Sequence, residues 1–231
     1  MSPNPESHTI RLQVFFRLKS VVNSLWPDAG VETFGSFATG LYLPTSDLDV
    51  VIFGKWEAFP FRTLENRLFD ISVHQSIDII DSATVPIVRY TDKVTNIKVD
   101  ISFNSICGPK SAQIIKLFKK KFPVLPKLVT VLKQFLYKRD LCTVYTGGLS
   151  SYSLTLMVIS FLQLHVRTDT ERDSSQTNLG VLLLEFFHHY GQRFNYDCLA
   201  ISVREVTILY YIFYYISCPT GCPKKRLALE L

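Results

Sequence analysis

The run Asp47-Leu48-Asp49-Val50-Val51-Ile52-Phe53 sets two carboxylates two residues apart at the head of an apolar segment. In an extended strand residues i and i+2 share a face, so Asp47 and Asp49 project together while Leu48, Val50 and Ile52 point the other way and pack on helices. Two like charges so close repel, and one is driven toward protonation unless a cation lies between them. A divalent metal removes that repulsion, and hard oxygen donors favour Mg2+ or Mn2+. Thr45-Ser46 ahead of Asp47 would alone suit a turn or helix cap; the paired acids on an apolar strand favour the metal.

A third acid stands downstream. In "NIKVDISFN", Ile97, Val99, Ile101 and Phe103 form an apolar face, and Lys98, Asp100, Ser102 and Asn104 a polar one on which Asp100 is the lone acid. If the two strands are neighbours, Asp47, Asp49 and Asp100 form a three-carboxylate set. Such a set can hold two metals roughly 3.5–4 Å apart, the arrangement used for in-line displacement at phosphorus. Upstream, Gly35 and Ser36 in "FGSFATG" follow a strand at a point where a helix can begin. Glycine permits close backbone approach to a phosphate, and helix-start N–H groups with a serine hydroxyl favour anionic oxygens.

The 231-residue chain is 47% hydrophobic and 13% aromatic, enough to bury a sizeable core and to exclude a disordered chain. Its net charge of +5 suits an anionic partner such as RNA or a nucleotide, and equally a solvated lysine-rich face. Five scattered cysteines (Cys107, Cys142, Cys198, Cys218, Cys222) read as reduced thiols of an intracellular protein, with no paired set for zinc. The terminal run "ILYYIFYYI" is too short to span a bilayer, so no membrane segment is expected.

Periodicity predicts a helix over 10–25, ended by Pro27, then strands at "VETF", "DLDVVIF", "SIDII", "VPIVRY" and "TNIKVDISF", with a helix at "FRTLENRLFDI" among them. Beyond Gly108 four helical segments follow: "SAQIIKLFKKKF", "LPKLVTVLKQFLYKRD", "SYSLTLMVISFLQLH" and "NLGVLLLEFFHHYG". The class is α+β, with a sheet-based half, a helical half and a boundary near residue 105. A cleft between two such halves is a common ligand site.

The stretch "FGSFATGLYLPTSDLDVVIFGKW" resembles the DNA polymerase β-like nucleotidyltransferases, and more narrowly the nuclear poly(A) polymerases of the DNA polymerase sigma type, whose yeast members work in the TRAMP complex. The resemblance continues through "ATVPIVRYTD", "KVDISFN", "VLKQFLYKRDL", "YTGGLSSYSLTLMVISFLQLH" and "NLGVLLLEFFHHYGQRFNY". It implies an N-terminal helix (1–26), a palm-like catalytic domain (27–105), a partial helical central domain (106–205) and a divergent tail (206–231). The implied activity is template-independent addition of AMP from ATP to RNA 3′ ends. The implied metal ligands are Asp47, Asp49 and Asp100, with Asp100 nearest the attacking 3′ hydroxyl. Gly35 and Ser36 would hold the triphosphate, Gly108 would contact the nucleotide and Asn104 would lie near the sugar. Lys133 and Ser151 would contact phosphate, and Tyr152 would stack on the base.

Physical chemistry gives the last group independent sense. A lysine offers phosphate a point charge, and a tyrosine ring stacks on any base. Read alone, Lys133 is an exposed helix lysine and Tyr152 equally a core residue. Lys116, Lys119, Lys120 and Lys121 read as a solvated helix end, with an RNA-phosphate guide as the alternative. His188 and His189 have no acid or cysteine at ligand spacing and read as surface or packing residues. "PKKR" (Pro223–Arg226) fits a short nuclear import signal.

After "ISVREV" the chain departs from the family, which continues to a segment near "NDVGR" whose asparagine and arginine contribute to ATP binding. The expectation is a truncated or alternative product in which turnover and base selectivity are impaired. The alternative to an active polymerase is a catalytically weak or inactive nucleotide- or partner-binding form. Expected partners are ATP, RNA 3′ ends, and the RNA-binding protein and helicase of a TRAMP-like complex. The expected location is the nucleus, with nucleolus and cytoplasm as alternatives.

Overall fold

Asn4 accepts a hydrogen bond from the Glu6 amide at 3.1 Å, and Pro5 takes the first helical position, so helix α1 (Pro5–Leu25) starts with a capped end. It begins five residues before the apolar period predicts, because capping rather than periodicity sets its start. The computed structural model describes residues 4–71, 73–168, 178–197, 199–201 and 203. The tail 206–231, with Cys218, Cys222 and the Pro223–Arg226 run, lies outside the described residues, as does Cys198. The chain divides into two compact units, 1–120 and 121–231.

In the first unit, α1 is followed by β1 (Gly30–Thr33), α2 (Gly35–Thr39), β2 (Leu48–Phe53), α3 (Phe61–Asp70), β3 (His74–Ile80), β4 (Ile87–Asp92), β5 (Lys98–Phe103) and α4 (Cys107–Lys121). The five strands form one sheet in the order β1-β2-β5-β4-β3. β2 and β5 run parallel; the other neighbours are antiparallel. The β2–β5 crossover passes through α3, β3 and β4, and it brings the two acid-bearing strands side by side.

One sheet face is apolar. Leu48, Val50 and Ile52 of β2, Val88 and Tyr90 of β4, and Val99 and Ile101 of β5 share a core with Val14, Leu18 and Val22 of α1 and Leu64 and Leu68 of α3. Several of these side chains are wholly buried, and at about 25 cal/mol per Å2 of apolar area such burial is the main force fixing the strand faces. The alternate positions of β2, β4 and β5 therefore carry the polar residues on the opposite face. The β4–β5 hairpin is pinned by Asp92, which accepts from the Thr95 amide (2.9 Å) and hydroxyl (2.7 Å) and pairs with Arg17 of α1 at 3.0 Å. Lys119 of α4 donates to the Thr39 carbonyl at the end of α2, which removes it from the solvated lysine cluster expected there.

The described part of the second unit is helical: α5 (Leu125–Lys138), a 3-10 turn (Val144–Thr146), α6 (Ser151–Thr168), α7 (Leu179–His188) and a π turn (His189–Arg193). Nearly every residue of α6 from Ser153 to Leu162 is buried, as suits a helix apolar all round. Phe161 of α6 meets Phe186 of α7 edge-on at 5.6 Å, and the Tyr190 hydroxyl donates to the Met157 carbonyl at 2.9 Å. Among the described residues no helix is long and apolar enough to cross a membrane.

Candidate active site

Asp49 and Asp100 are register partners on the adjoining parallel strands β2 and β5. Asp47 comes two residues earlier, at the approach to β2. Its carboxyl is held above the ordinary carboxylate range, first by burial and then by the charge of Asp100, against the opposing pull of Arg89, Lys98 and Arg11. Asp47 therefore feels the charge of the acid on the second strand.

Asp49 also explains Gly35. At Gly35 (φ +61°) an added Cβ would overlap Asp49 Oδ2 and lie 2.8 Å from its Cγ. Only glycine fits, and the backbone that opens α2 comes directly against the Asp49 side chain. The Phe34 amide donates to the Asp49 carbonyl at 3.0 Å, which ties the strand to the residue just ahead of the glycine. Ser36 follows in the first turn of α2. Gly108 sits in the first turn of α4, where a Cβ would lie 2.8 Å from Phe34 Cγ. Asn104, at φ +53°, donates to the Gly54 carbonyl and accepts from the Gly54 amide, both at 3.0 Å, and ties together the ends of β2 and β5.

In the second unit, Lys133 lies on α5 and is only 6% exposed, unlike the solvated helix lysine that its sequence context suggests. Ser150 caps α6 by accepting from the Ser153 amide at 3.0 Å, which places Ser151 and Tyr152 in the first turn.

Two residues outside the expected set shape the three acids. Arg89 of β4 is the register partner of Asp100. Its Nε donates to Asp100 Oδ1 at 2.7 Å and its Nη2 to Oδ2 at 2.6 Å, a bidentate pair. Counting back across the hairpin from its turn at Asp92–Ile97 would have aligned Arg89 with Asp100. Arg11 of α1 is 3% exposed, and its Nη2 donates to the carbonyls of Pro44 (3.0 Å) and Ser46 (2.7 Å) in the turn just before Asp47. No local sequence signal marks it, because helix arginines usually face water.

Hard carboxylates on two adjoining strands, two of them in register, are a donor set that fits Mg2+ or Mn2+. Among the described residues no three His, Cys, Asp or Glu side chains are gathered into a metal cage; both oxygens of Asp100 are engaged by Arg89.

The family model described as "Poly(A) RNA polymerase, mitochondrial-like, central palm domain" matches residues 1–120, and that of "Cid1 family poly A polymerase" matches 178–210. Poly(A) RNA polymerase cid14 of Schizosaccharomyces pombe is 41% identical over 210 residues, which cover 89% of this chain and 31% of that protein. A Drosophila melanogaster protein, "Inactive non-canonical poly(A) RNA polymerase protein Trf4-2", is 44% identical over 204 residues, 86% of this chain and 50% of its own. The chain thus spans half or less of the length of these curated relatives. The polymerase core of TRAMP, an RNA surveillance complex, superposes with a TM-score of 0.75 at 36% identity, over 85% of this chain and 62% of the other. With its α+β palm and its match over more than half its length, this chain belongs to the poly(A) RNA polymerase family with the mitochondrial-like central palm domain.

Proposed function

We propose that this chain is a template-independent adenylyltransferase that adds AMP from ATP to RNA 3′ ends in nuclear RNA processing and surveillance. The observation that carries this is the register pairing of Asp49 with Asp100, with Asp47 just ahead and the glycine-started helix α2 against Asp49. Divalent cations (Mg2+ or Mn2+) held by Asp47, Asp49 and Asp100 would acidify the attacking hydroxyl and neutralise charge on the triphosphate. In that reaction the 3′ oxygen bonds to the α-phosphorus, the bridge to the β-phosphate breaks, and pyrophosphate leaves, with no covalent enzyme intermediate.

The chain's own residues position the reactants. Gly35 and Ser36 receive the triphosphate at the start of α2, Asp100 lies nearest the 3′ hydroxyl, Asn104 lies near the sugar and Gly108 contacts the nucleotide. Lys133 and Ser151 contact phosphate, and Tyr152 stacks on the base. The likeness to the polymerase core of TRAMP, an RNA surveillance complex, supports assembly into a TRAMP-like complex; its RNA-binding-protein and helicase partners, and a nuclear location with nucleolus and cytoplasm as alternatives, belong to the same proposal. Incubation of the purified chain with labelled ATP, Mg2+ or Mn2+ and a short RNA should give extension that Asp49→Ala abolishes; extension that survives the substitution refutes the site.

A second reading is a catalytically weak or inactive binding form, favoured by the 44% identity to the relative named inactive. ATP binding without extension, under conditions where a full-length relative extends the same RNA, would support it.

A further inference from the structure

A single row of charge crosses four strands of the sheet. Asp78 of β3 pairs in register with Arg89 of β4, Arg89 with Asp100 of β5, and Asp100 with Asp49 of β2. Register partners share a face, so the row reads acid, base, acid, acid along the polar side of the sheet. Arg89 stands between two acids and commits both of its observed hydrogen bonds to Asp100.

We propose that Arg89 competes with the divalent cation for Asp100 and turns to Asp78, its partner on the other side, when the cation binds. The geometry sets the two cations in competition. A metal ion at either Asp100 oxygen draws on a carboxylate whose charge the bidentate Arg89 already offsets, and it must approach a guanidinium in contact with that carboxylate. Asp78 makes the displacement cheap, because the freed guanidinium already lies beside a second, exposed carboxylate in the same row. The device would keep Asp100 neutralised while no cation is bound, and it would make cation affinity depend on a residue that is not itself a ligand. Arg89 is thus a positioning residue.

The inference rests on the metal-binding reading above, and its test separates the two. Mn2+ binding to the full chain is read by the paramagnetic resonance of free Mn2+, with thermal midpoints measured with and without the ion. A half-exposed ion pair is worth up to about 1 kcal/mol, so Arg89→Met should tighten Mn2+ binding about fivefold. Asp78→Asn, which strands the displaced guanidinium, should weaken it about twofold. The Arg89→Met/Asp78→Asn double variant should match Arg89→Met alone, since Asp78 acts only through Arg89. Without metal, Arg89→Met should melt below wild type, and Mn2+ should raise its midpoint by more than it raises that of wild type. Should Arg89→Met fail to fold, Arg89→Lys keeps the charge without the fork and should tighten binding by a smaller factor.

Mn2+ affinity unchanged or weaker in Arg89→Met, with binding still lost in Asp49→Ala, overturns the competition and leaves the proposed function standing. An Asp78→Asn effect that persists in the double variant overturns the part given to Asp78. Wild type and Asp49→Ala binding Mn2+ equally overturns the metal reading and this inference with it.

Discussion

Gly35→Ala acts on the backbone and on the candidate site by separable routes. Gly35 has φ +61°, and the new Cβ would overlap Asp49 Oδ2 and lie 2.8 Å from Cγ and 3.2 Å from Cβ. The dihedral alone costs an L side chain about 1–2 kcal/mol. Rotation of the carboxylate cannot relieve the clash in place, because Asp49 Cβ is fixed by β2 and the carboxylate must swing away from α2. Gly40→Ala is the matched control. It has φ +70°, and its added Cβ meets only the flexible end of Lys119, at 3.1 Å from Nζ. For a chain of this size 1 kcal/mol shifts a midpoint by roughly 2–4 °C, so both variants should melt about 2–8 °C lower. Only Gly35→Ala displaces the carboxylate, and a misplacement of about 1 Å can cost about 10²-fold in rate. Calorimetry and RNA extension with labelled ATP separate the two effects. Extension by Gly35→Ala at the rate of Gly40→Ala would refute the claim that the glycine exists to admit Asp49.

Two further outcomes follow from groups that the three acids do not include. Arg11→Met removes donors to the Pro44 and Ser46 carbonyls from a buried site, and should cost about 2–3 kcal/mol in urea unfolding; an unchanged midpoint would show that the turn before Asp47 does not depend on α1. His189 is held below its ordinary value of 6.5, first by burial and then by Arg193. Its neutral form is therefore favoured in the fold, and the stability it contributes is present above pH about 6.5 and lost as the pH falls through its lowered value. His189→Gln should flatten the fall in thermal midpoint between pH 7 and pH 5, and an unaltered slope would contradict this.

The elements that position the acids were legible because their signals are local. β2 and β5 show apolar alternation interrupted by acids, and Gly35 stands twelve residues ahead of Asp47. Helix α1 was legible in type but not in its start, since the cap at Asn4 and Pro5 precedes the first periodic apolar residue. What escaped were pairings set by register or packing over long separations. Arg89 meets Asp100 only once β4 and β5 are aligned, and Asn104 bonds Gly54 across fifty residues. Burial of Lys133 and Arg11 reverses the usual exposure of helix cations, which no local pattern encodes. The charge row through Asp78 is likewise a product of sheet order, since β3 lies four strands from β1 and three from β2.

Anomalous diffraction from crystals grown with Mn2+ and a non-hydrolysable ATP analogue tests the three-acid site most directly. Manganese peaks about 2 Å from carboxylate oxygens of Asp47, Asp49 and Asp100 are expected, with the triphosphate at the start of α2. Peaks that leave Asp100 uncontacted, or that lie away from β2 and β5, would contradict it.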